Sequence, residues 1–264
     1  FSDAKKAVKE IFDGKFGKAD EVLIEDFLRG EEMSFFIIYD NTSFKIFNTA
    51  QDHKRVFEGD KGKNTGGMGA YSPSRLNSDE LQEKIINKII IPTLNYLKKK
   101  NGIYIGFLYA GLMIKNNEPY LIEYNVRMGD PECQTILPLL KNDLAELIYS
   151  CVNNNLKNVQ LDWENKKSIC IVLSSKGYPE KFEKNILIEK LEKIKTNEYQ
   201  YIFHAGTRNQ NQKYYSTGGR VLNFVSIDEN FGEARKKSLE LIKLLNWKYG
   251  HYRKDIGYKV INNK

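Results

Sequence analysis

The sequence predicts an α/β protein, because segments with helical periodicity alternate with segments of strand character along its 264 residues. Apolar residues spaced three and four positions apart predict helices near residues 4–12, after Asn77 and over residues 136–153. Runs rich in β-branched and aromatic residues predict strands, most clearly over residues 34–39 and 106–114. A chain of this length can form one large domain or two smaller ones with separate cores.

The first 75 residues are predicted to hold a helix, three strands and a long loop. Ser2 or Asp3 can cap the first helix. A short buried strand is predicted over residues 21–25, and a strand over residues 44–50 follows the one already named. Residues 51–75 are rich in glycine and charge, which predicts a long loop of the kind that is usually functional or disordered.

The rest of the chain is predicted to begin with a long helix, where Asn77 and Glu80 form a capping box. Pro92 is expected to kink or break this helix. The second strand of the following hairpin is predicted over residues 119–127, and a domain boundary is predicted in the polar stretch 153–167. Beyond the boundary, the sequence predicts strands over residues 168–174, 201–206 and 214–226 and a final helix capped by Asn230.

The charge balance argues against a nucleic-acid-binding protein. The chain has 41 basic and 34 acidic residues, a net charge of +7 and an isoelectric point near 9.0. The basic residues are spread along the chain and form no stripe interleaved with aromatic residues, so no nucleic-acid partner is predicted. Local positive charge suits anionic small-molecule substrates better.

Cysteine usage and hydropathy predict a cytoplasmic protein. Cys133, Cys151 and Cys170 show neither paired nor metal-ligand spacing, which fits free thiols in a reducing compartment. The longest apolar run, residues 102–114, is too short to span a bilayer, and no signal-like segment is recognised. No membrane association is therefore predicted.

Three polar side chains stand at alternate positions at the end of the second hairpin strand, namely Glu123, Asn125 and Arg127. Alternate residues of a strand point to one face, so these groups are expected to converge. Carboxylate and amide oxygens suit Mg²⁺, which also binds substrate phosphates, and an arginine can grip the same phosphates. The pattern indicates phosphoryl transfer, but taken alone it fits the polar end of an ordinary strand equally well.

Two other segments point to anionic or nucleotide ligands. Residues 64–71 place three glycines within four positions, which would leave main-chain N–H groups free to surround an anion, and residues 52–55 add charge beside them. The glycine spacing is not that of a P-loop. An acidic turn over residues 25–32 can present main-chain groups to an adenine and a carboxylate to a ribose. A flexible surface turn and solvated charge clusters are the alternative interpretations.

Five motifs follow one another along the chain: E-D-F-L-x-G-E-E-x-S, Q-D-H-K-R, N-T-G-G-M-G-A-Y-S-P, G-F-L-Y-A-G-L-M-I and I-E-Y-N-x-R-x-G-D-P-E. Together they strongly resemble the phosphoribosylamine–glycine ligase family of ATP-grasp enzymes. Residues 217–222 and 253–257 also match the C-terminal domain of that family, so the resemblance covers nearly the whole chain. It implies an α/β (α+β) ATP-grasp fold with a small β-rich C-terminal domain, and it implies that the N-terminal domain of the family lies outside the sequence.

By that resemblance the cofactors are ATP and Mg²⁺ (or Mn²⁺), and the site residues fall into groups. The adenine contacts would be Glu25, Asp26, Phe27 and Leu28, and Glu32 would contact the ribose. Glu123 and Asn125 would hold the metal, and the catalytic residues would be Lys54 and Arg127, of which Arg127 would meet the transferred phosphate. The pocket for the two other substrates would be lined by Asp52, Asn64, Thr65, Gly66, Gly67, Met68, Gly69, Asp130, Pro131 and Glu132.

The resemblance also implies the reaction. ATP would phosphorylate the carboxylate of glycine, and the amine of 5-phosphoribosylamine would then displace phosphate to give glycinamide ribonucleotide. This chemistry requires charge neutralisation and the exclusion of water, but it requires no Ser, Cys or His nucleophile. His53, His204 and His251 are therefore expected to be structural. Another ATP-grasp carboxylate–amine ligase and a non-catalytic nucleotide-binding fragment stay open as alternatives, as does the oligomeric state.

Three domains are predicted on this basis: residues 1–32 as a remnant of the small ATP-grasp lobe, residues 33–165 as the large catalytic domain, and residues 166–264 as the C-terminal domain. The lysines with which the family covers the ATP phosphates would lie upstream of Phe1. The 264 residues alone are therefore expected to bind Mg·ATP weakly and to form no product. Residues 107–114 contain no acidic metal ligand, so Glu123 would serve with Asn125 alone.

Overall fold

The computed structural model describes residues 1–100 and 102–261. The strands are β1 (Glu31–Tyr39), β2 (Phe44–Ile46), β3 (Gln51–Asp52), β4 (Arg55–Phe57), β5 (Lys61–Asn64), β6 (Gly69–Ser72), β7 (Gly106–Lys115), β8 (Glu118–Asn125), β9 (Lys167–Ser175), β10 (Ile186–Ile188), β11 (Gln200–His204), β12 (Thr207–Gln210), β13 (Lys213–Ser216), β14 (Arg220–Asp228) and β15 (Gly250–His251). The helices are α1 (Ser2–Phe12), α2 (Asp79–Ile85), α3 (Ile91–Lys99), α4 (Glu132–Ile136), α5 (Leu144–Val152), α6 (Phe231–Leu245) and α7 (Tyr258–Ile261). A π-helical segment (Ile86–Ile90) joins α2 to α3, and 3₁₀ turns cover Leu137–Leu139, Leu156–Asn158 and Leu191–Lys193.

The first sheet is antiparallel and has the strand order β2-β1-β7-β8. Its strand β1 is buried on both faces. Phe35 and Ile37 pack with side chains of α2 and α3 on one face, while Phe36 and Ile38 pack with side chains of α5 on the other. A strand covered on both faces reads as a continuous apolar run, which explains why residues 33–39 show no polar alternation.

The second sheet joins distant parts of the chain in the order β11-β14-β9-β6-β3, and β15 also pairs with β9. Helix α6 packs on β9 and β14, and the core between them includes Ile171, Phe224 and Leu241. Because β3 and β6 precede the polar stretch 153–167 and the other strands follow it, this sheet contains strands from both sides of the predicted domain boundary. The division into three domains stays a prediction.

The expectation of a long loop over residues 51–75 is wrong. This segment contains β3 to β6, of which β4 and β5 form a hairpin and β6 pairs with β9. No local pattern reveals such short strands, because the partner that stabilises β6 lies far along the chain. A second difference is that the strand predicted over residues 214–226 is split at 217–219 into β13, which belongs to a separate sheet of order β10-β13-β12, and β14.

Two helix boundaries differ from those predicted. Helix α2 is capped by Ser78, whose Oγ accepts a hydrogen bond from the N–H of Leu81 at 3.2 Å, one residue after the predicted cap Asn77. Helix α1 begins after Phe1 without a side-chain cap, so Ser2 and Asp3 lie inside it.

Two further helix predictions differ from the structure. Pro92 does not break its helix, which continues from α2 through the π-helical segment Ile86–Ile90 into α3, but this segment interrupts the regular α-helical pattern just before Pro92. The helix predicted over residues 136–153 is reduced to α5, which Asp143 caps through hydrogen bonds to the N–H groups of Ala145 and Glu146.

The buried strand predicted over residues 21–25 is also wrong. These residues have no regular secondary structure, and the side chains of Leu23 and Ile24 are 80% and 85% exposed. A strand needs a neighbouring strand to satisfy its main-chain groups, and within the described parts of the chain this segment pairs with none. Local apolar character alone therefore misled the sequence prediction.

The three cysteines are free thiols, as predicted. Burial raises the pKa of the Cys133 thiol to about 11, which keeps it protonated at neutral pH. Among residues 1–100 and 102–261, no helix combines the length and the apolar character that crossing a membrane requires.

Candidate active site

Two adjoining cavities of about 250 Å³ each lie where the start of β1 meets the segment from β3 to β5. Glu32, Asp52, Lys54 and Asn64 line both cavities. Glu123 lines the second cavity as well. The structure therefore brings five of the predicted site residues, which are far apart in the sequence, to one place.

The end of β8 carries the predicted metal ligands. Glu123 lies opposite Gly111 of β7, and Asn125 lies opposite Tyr109. The Nδ2 of Asn125 donates a hydrogen bond to Oε1 of Glu123 at 3.1 Å, so the two side chains share a face as predicted. Strand β8 ends at Asn125, so the prediction that it continues to Arg127 is wrong, and the guanidinium of Arg127 instead donates to the main-chain oxygen of Met128 at 2.9 Å.

The donor set of Glu123 and Asn125 fits a hard divalent cation. Rotation of the Asn125 amide by half a turn would present its oxygen beside the Glu123 carboxylate. Within the residues that the structure describes, no group of three or more His, Cys, Asp and Glu side chains could hold a metal. The protein would thus supply two ligands here, and water and phosphate oxygens would complete the shell, which is how Mg²⁺ is usually bound.

Lys54 is the cation shared by the two cavities. Its Nζ contacts the carboxylate of Glu32 and lies 3.8 Å from Oδ1 of Asp52. Burial would lower the pKa of Lys54, but the charge of Asp52 and the hydrogen bond to Glu32 outweigh it and raise the pKa. Lys54 therefore stays protonated at neutral pH and can neutralise a phosphate or a carboxylate.

Asp52 is the most buried carboxylate that faces both cavities, with 8% of its side chain exposed. Burial and the nearby charge of Glu132 raise the pKa of Asp52 to about 7, although the charge of Lys54 acts in the opposite direction. Asp52 is therefore partly protonated near neutral pH, whereas an ordinary aspartate is fully ionised there.

Glu132 is held by two residues to which the sequence analysis assigned no role. The Oγ of Ser34 donates to Oε1 of Glu132 at 3.1 Å and lies 3.0 Å from the hydroxyl of Tyr109. Burial raises the pKa of Tyr109, so its hydroxyl stays protonated. Both residues lie inside motifs that carried the family resemblance, and that was the signal that could have found them.

The glycine-rich loop does not form the predicted nest of free N–H groups. The N–H groups of Thr65 and Met68 donate to the main-chain oxygens of Lys54 and His53, both at 2.8 Å. The N–H of Gly66 donates to the hydroxyl of Tyr178, and the N–H of Gly67 donates to Oγ1 of Thr65, both at 3.0 Å. Each of these donors is thus used inside the protein. The loop is instead a tightly fixed connection between β5 and β6, and of its residues Asn64 lines both cavities.

Three consecutive residues of this segment are fixed by packing. Gly67 has a φ of 107°, and a Cβ atom there would lie 2.6 Å from Cδ of Pro131, so a larger residue would be strained and would collide. Met68 is fully buried in the core of the second sheet, so its side chain does not face a ligand. Gly69 opens β6, where a Cβ atom would lie 2.6 Å from the main-chain oxygen of Cys170.

The predicted adenine contacts Glu25, Asp26, Phe27 and Leu28 lie in the extended segment before β1. Glu25, Asp26 and Phe27 are exposed, and Leu28 is half-buried. None of the four lines either of the two cavities, whereas Glu32 lines both. The adenine contact stays a prediction.

A buried arginine from the C-terminal part of the chain fixes the β4–β5 hairpin beside Lys54. Arg253 is fully buried and donates from Nε and Nη2 to the two carboxylate oxygens of Asp255 at 2.8 and 2.7 Å. Its Nη1 donates to Oδ1 of Asp60 at 2.8 Å and to the main-chain oxygen of Arg55 at 3.0 Å. Hydrogen bonds from His53 and Arg253 hold the pKa of Asp60 well below its usual range.

The three histidines make contacts within the protein, and their structural role stays a prediction, although His53 also lines the first cavity. His53 is buried, and its Nε2 accepts a hydrogen bond from the N–H of Gly257 at 3.0 Å. His251 Nε2 lies 2.9 Å from the main-chain oxygen of Val56, and His204 Nδ1 lies 2.7 Å from Oγ1 of Thr207.

Comparison with protein families shows the family of the chain. Residues 1–133 match the model described as phosphoribosylglycinamide synthetase, ATP-grasp (A) domain. The chain belongs to the phosphoribosylglycinamide synthetase family. Residues 168–259 match the C domain of the same family, so the family predicted from the five motifs is confirmed.

Curated relatives of this synthetase family extend beyond the chain. The chain is 42% identical to the phosphoribosylamine–glycine ligase of Fusobacterium nucleatum over 258 residues, which is 97% of the chain and 61% of that protein. It is also 42% identical to the corresponding ligase of Agrobacterium fabrum, covering 98% of the chain and 61% of that protein. The chain therefore spans about three-fifths of the length of these relatives.

Solved structures confirm the predicted ATP-grasp fold. The phosphoribosylamine–glycine ligase of Thermotoga maritima superposes with a TM-score of 0.81 at 32% identity, over 97% of the chain and 63% of that structure. A biotin carboxylase from Campylobacter jejuni superposes with a TM-score of 0.59 at 14% identity, over 90% of the chain and 51% of that structure. The second similarity concerns the fold alone.

Proposed function

We propose that the protein containing this chain uses ATP to join glycine to 5-phosphoribosylamine, giving glycinamide ribonucleotide, ADP and phosphate, as a cytoplasmic enzyme of purine biosynthesis. The main support for the proposal is the pair of adjoining cavities. Both are lined by Glu32, Asp52, Lys54 and Asn64, and the second is also lined by Glu123. A ligase that activates one substrate and then transfers it to another needs two adjoining subsites of this kind.

In the first step the γ-phosphoryl group of ATP passes to the glycine carboxylate. Glu123 and Asn125 would hold Mg²⁺ (or Mn²⁺), which neutralises phosphate charge when bound. Lys54, protonated between Glu32 and Asp52, stabilises negative charge on the acceptor or on the transferred group. We assign the second cationic contact with that group to Arg127, which follows directly on β8.

In the second step the amine of 5-phosphoribosylamine attacks the carbonyl carbon of glycyl phosphate. The new C–N bond forms as the C–O bond to phosphate breaks, and the attacking nitrogen loses a proton. Asp52 lines both cavities, and its raised pKa suits a proton acceptor near neutral pH. Asn64 and Glu132 complete the polar wall in this assignment.

We infer that the remaining predicted residues serve as the sequence analysis assigned them. Residues 25–28 and Glu32 contact the nucleotide, and residues 64–69 and 130–132 shape the pocket for the other two substrates. The three predicted domains, residues 1–32, 33–165 and 166–264, are retained in the proposal. The two family matches, over residues 1–133 and 168–259, leave a gap that spans the predicted boundary and so support it.

The test compares two glutamates of the same strand in the full-length protein. Glu123→Ala should abolish ADP release that depends on both glycine and 5-phosphoribosylamine. Glu118→Ala is the matched control, because Glu118 lies at the other end of β8 and pairs with Lys84 and Lys88 away from the cavities. ADP release that survives Glu123→Ala or complete metal chelation would contradict the metal assignment. A carboxylate acceptor that is preferred over glycine would instead identify a different carboxylate–amine ligase.

A further inference from the structure

The main chain of Gly66, in the middle of the glycine-rich loop, is held on both sides by side chains from the C-terminal part of the chain. Its N–H donates to the hydroxyl of Tyr178 at 3.0 Å. Its carbonyl oxygen accepts from Nη1 of Arg220 at 2.5 Å. Tyr178 follows β9 and Arg220 is the first residue of β14, so both belong to the second sheet and its connections.

The same guanidinium also holds the loop that follows β8. Nη1 of Arg220 donates to the main-chain oxygen of Asp130 at 2.6 Å, and Nη2 donates to its carboxylate at 2.9 Å. The planar fork of an arginine donates from separate nitrogens in fixed directions, here Nη1 and Nη2, whereas the three donors of a lysine radiate from one nitrogen. One side chain therefore links the two loops that are proposed to line the pocket for glycine and 5-phosphoribosylamine.

The local sequence fits this bridge closely. A Cβ atom on Gly66 would lie 3.1 Å from Cζ of Arg220, so the guanidinium lies flat against a position that has room for glycine and little more. The next residue, Gly67, packs in the same manner against Pro131. The two glycines thus allow the loop to lie directly on the guanidinium and on the proline ring.

We propose that Arg220, assisted by Tyr178, is a positioning residue that fixes the loop of residues 64–69 against Asp130 and Pro131. Its guanidinium is engaged by three acceptor atoms of the protein, which distinguishes it from a group that binds substrate. The C-terminal part of the chain thereby sets the shape of the acceptor pocket. The identity of the acceptors rests on the proposed function, but the bridge itself does not.

The test uses the full-length protein and first compares three variants, at Arg220 and Arg208. Arg220→Gln should raise the KM for glycine, for 5-phosphoribosylamine or for both at least tenfold, while the affinity for Mg·ATP alone stays within twofold. Amide hydrogen exchange over residues 64–69 and 128–133 should become at least tenfold faster. Arg220→Lys should fall between the wild type and Arg220→Gln, because lysine keeps the charge but has one nitrogen in place of the two that reach Gly66 and Asp130. Arg208→Gln is the matched control, since among the described residues the side chain of Arg208 makes one hydrogen bond, of 3.4 Å, to Asn185.

The outcomes separate positioning from general stabilisation. If Arg220 had a merely structural role, Arg220→Gln would lower the melting temperature and would weaken the binding of Mg·ATP as much as the binding of the two other substrates. That result would overturn the proposal. Unchanged hydrogen exchange in Arg220→Gln would also overturn it. If the wild type forms no glycinamide ribonucleotide, the proposed function fails, and the exchange rates still decide the bridge. Gly66→Ala should cause the same defect, and the double variant should be no worse than either single one, since both changes disrupt one contact.

Discussion

Replacement of Arg253 by methionine is the sharpest test of how the C-terminal part of the chain supports the site. The substitution keeps the length and apolar stem of the side chain and removes its charge. It abolishes four hydrogen bonds, two to the Asp255 carboxylate, one to Asp60 and one to the main-chain oxygen of Arg55. Arg253 is fully buried, so water can replace the lost donors only at the exposed edges of the two carboxylates.

The expected loss follows from the partners that stay behind. Removal of one member of a buried ion pair costs about 3–5 kcal/mol, because the remaining charge is left without compensation. Here the side chains of Asp60 and Asp255 are 29% and 20% exposed, and Asp60 keeps its contact with the hydroxyl of Tyr258. Both carboxylates can thus gain some hydration, which places the cost near the lower end, at about 3 kcal/mol. For a protein of this size the melting temperature should fall by roughly 6–12 °C.

The assay is urea unfolding at pH 7, followed by tryptophan fluorescence and circular dichroism. Arg208→Gln is the control, and it should change the free energy of unfolding by less than about 0.5 kcal/mol, as exposed substitutions usually do. A loss below about 1 kcal/mol for Arg253→Met would refute the argument, because it would mean that Asp60 and Asp255 need no buried partner.

The pH dependence of this loss gives a second check. Hydrogen bonds lower the pKa of Asp60, and those from Arg253 and the Gly59 amide lower the pKa of Asp255 against the effect of burial. A carboxylate with a lowered pKa contributes stability above its unfolded pKa, near 3.9, and loses that contribution as pH falls through the folded value. The difference between wild type and Arg253→Met should therefore be constant from pH 6 to 8 and shrink below about pH 4.

Two further changes probe the cavity wall and the loop. Asp52→Asn removes a carboxylate whose pKa is raised to about 7 by burial and by the charge of Glu132. In the wild type, protonation of Asp52 stabilises the folded protein at low pH, and this stabilisation is lost as pH rises through 7. The melting temperature of Asp52→Asn relative to wild type should thus increase from pH 5 to pH 8, and equal differences at the two pH values would contradict the assignment. Gly67→Ala should destabilise the protein by at least about 1–2 kcal/mol, because an L-residue is strained at a φ of 107° and its Cβ would meet Pro131, and product formation should fall more than tenfold. An alanine variant with wild-type stability and activity would show that the two loops can separate without consequence.

The sequence predicted the main elements of the first sheet and the metal-ligand pair because their signals are local. Residues 35–39 of β1 form an unbroken apolar run, and Glu123 and Asn125 alternate at the end of β8 where strand geometry places them on one face. The alternation argument failed two residues later, at Arg127, because nothing in the sequence marks Asn125 as the last residue of the strand. Side chains alternate between the two faces only within a strand, so this rule gives no direction for Arg127, which lies beyond the end of β8.

The rest of the site depends on contacts that no local pattern contains. The short strands β3 and β6 exist because β6 pairs with β9, and the N–H groups of residues 65–68 are satisfied by groups as distant as Tyr178. Arg220 and Arg253 looked like ordinary members of family motifs, and their ion pairs with Asp130 and Asp60 are a property of the tertiary structure. Sequence reasoning found the residue types that the chemistry needs and missed those that hold them in place.

The pairing of β6 with β9 has a consequence for how the chain acquires its site during synthesis. The first sheet can be completed once residues up to Asn125 have left the ribosome, but β6 has its partner only after residues 167–175 have emerged. Until then Ala70 and Tyr71, fully buried in the finished protein, remain without the strand that covers them. Non-local strand pairing of this kind is slow and leaves apolar edges open to aggregation. The segment that carries Asp52, Lys54 and Asn64 is thus translated early and takes its final position late, when the strand that anchors it arrives.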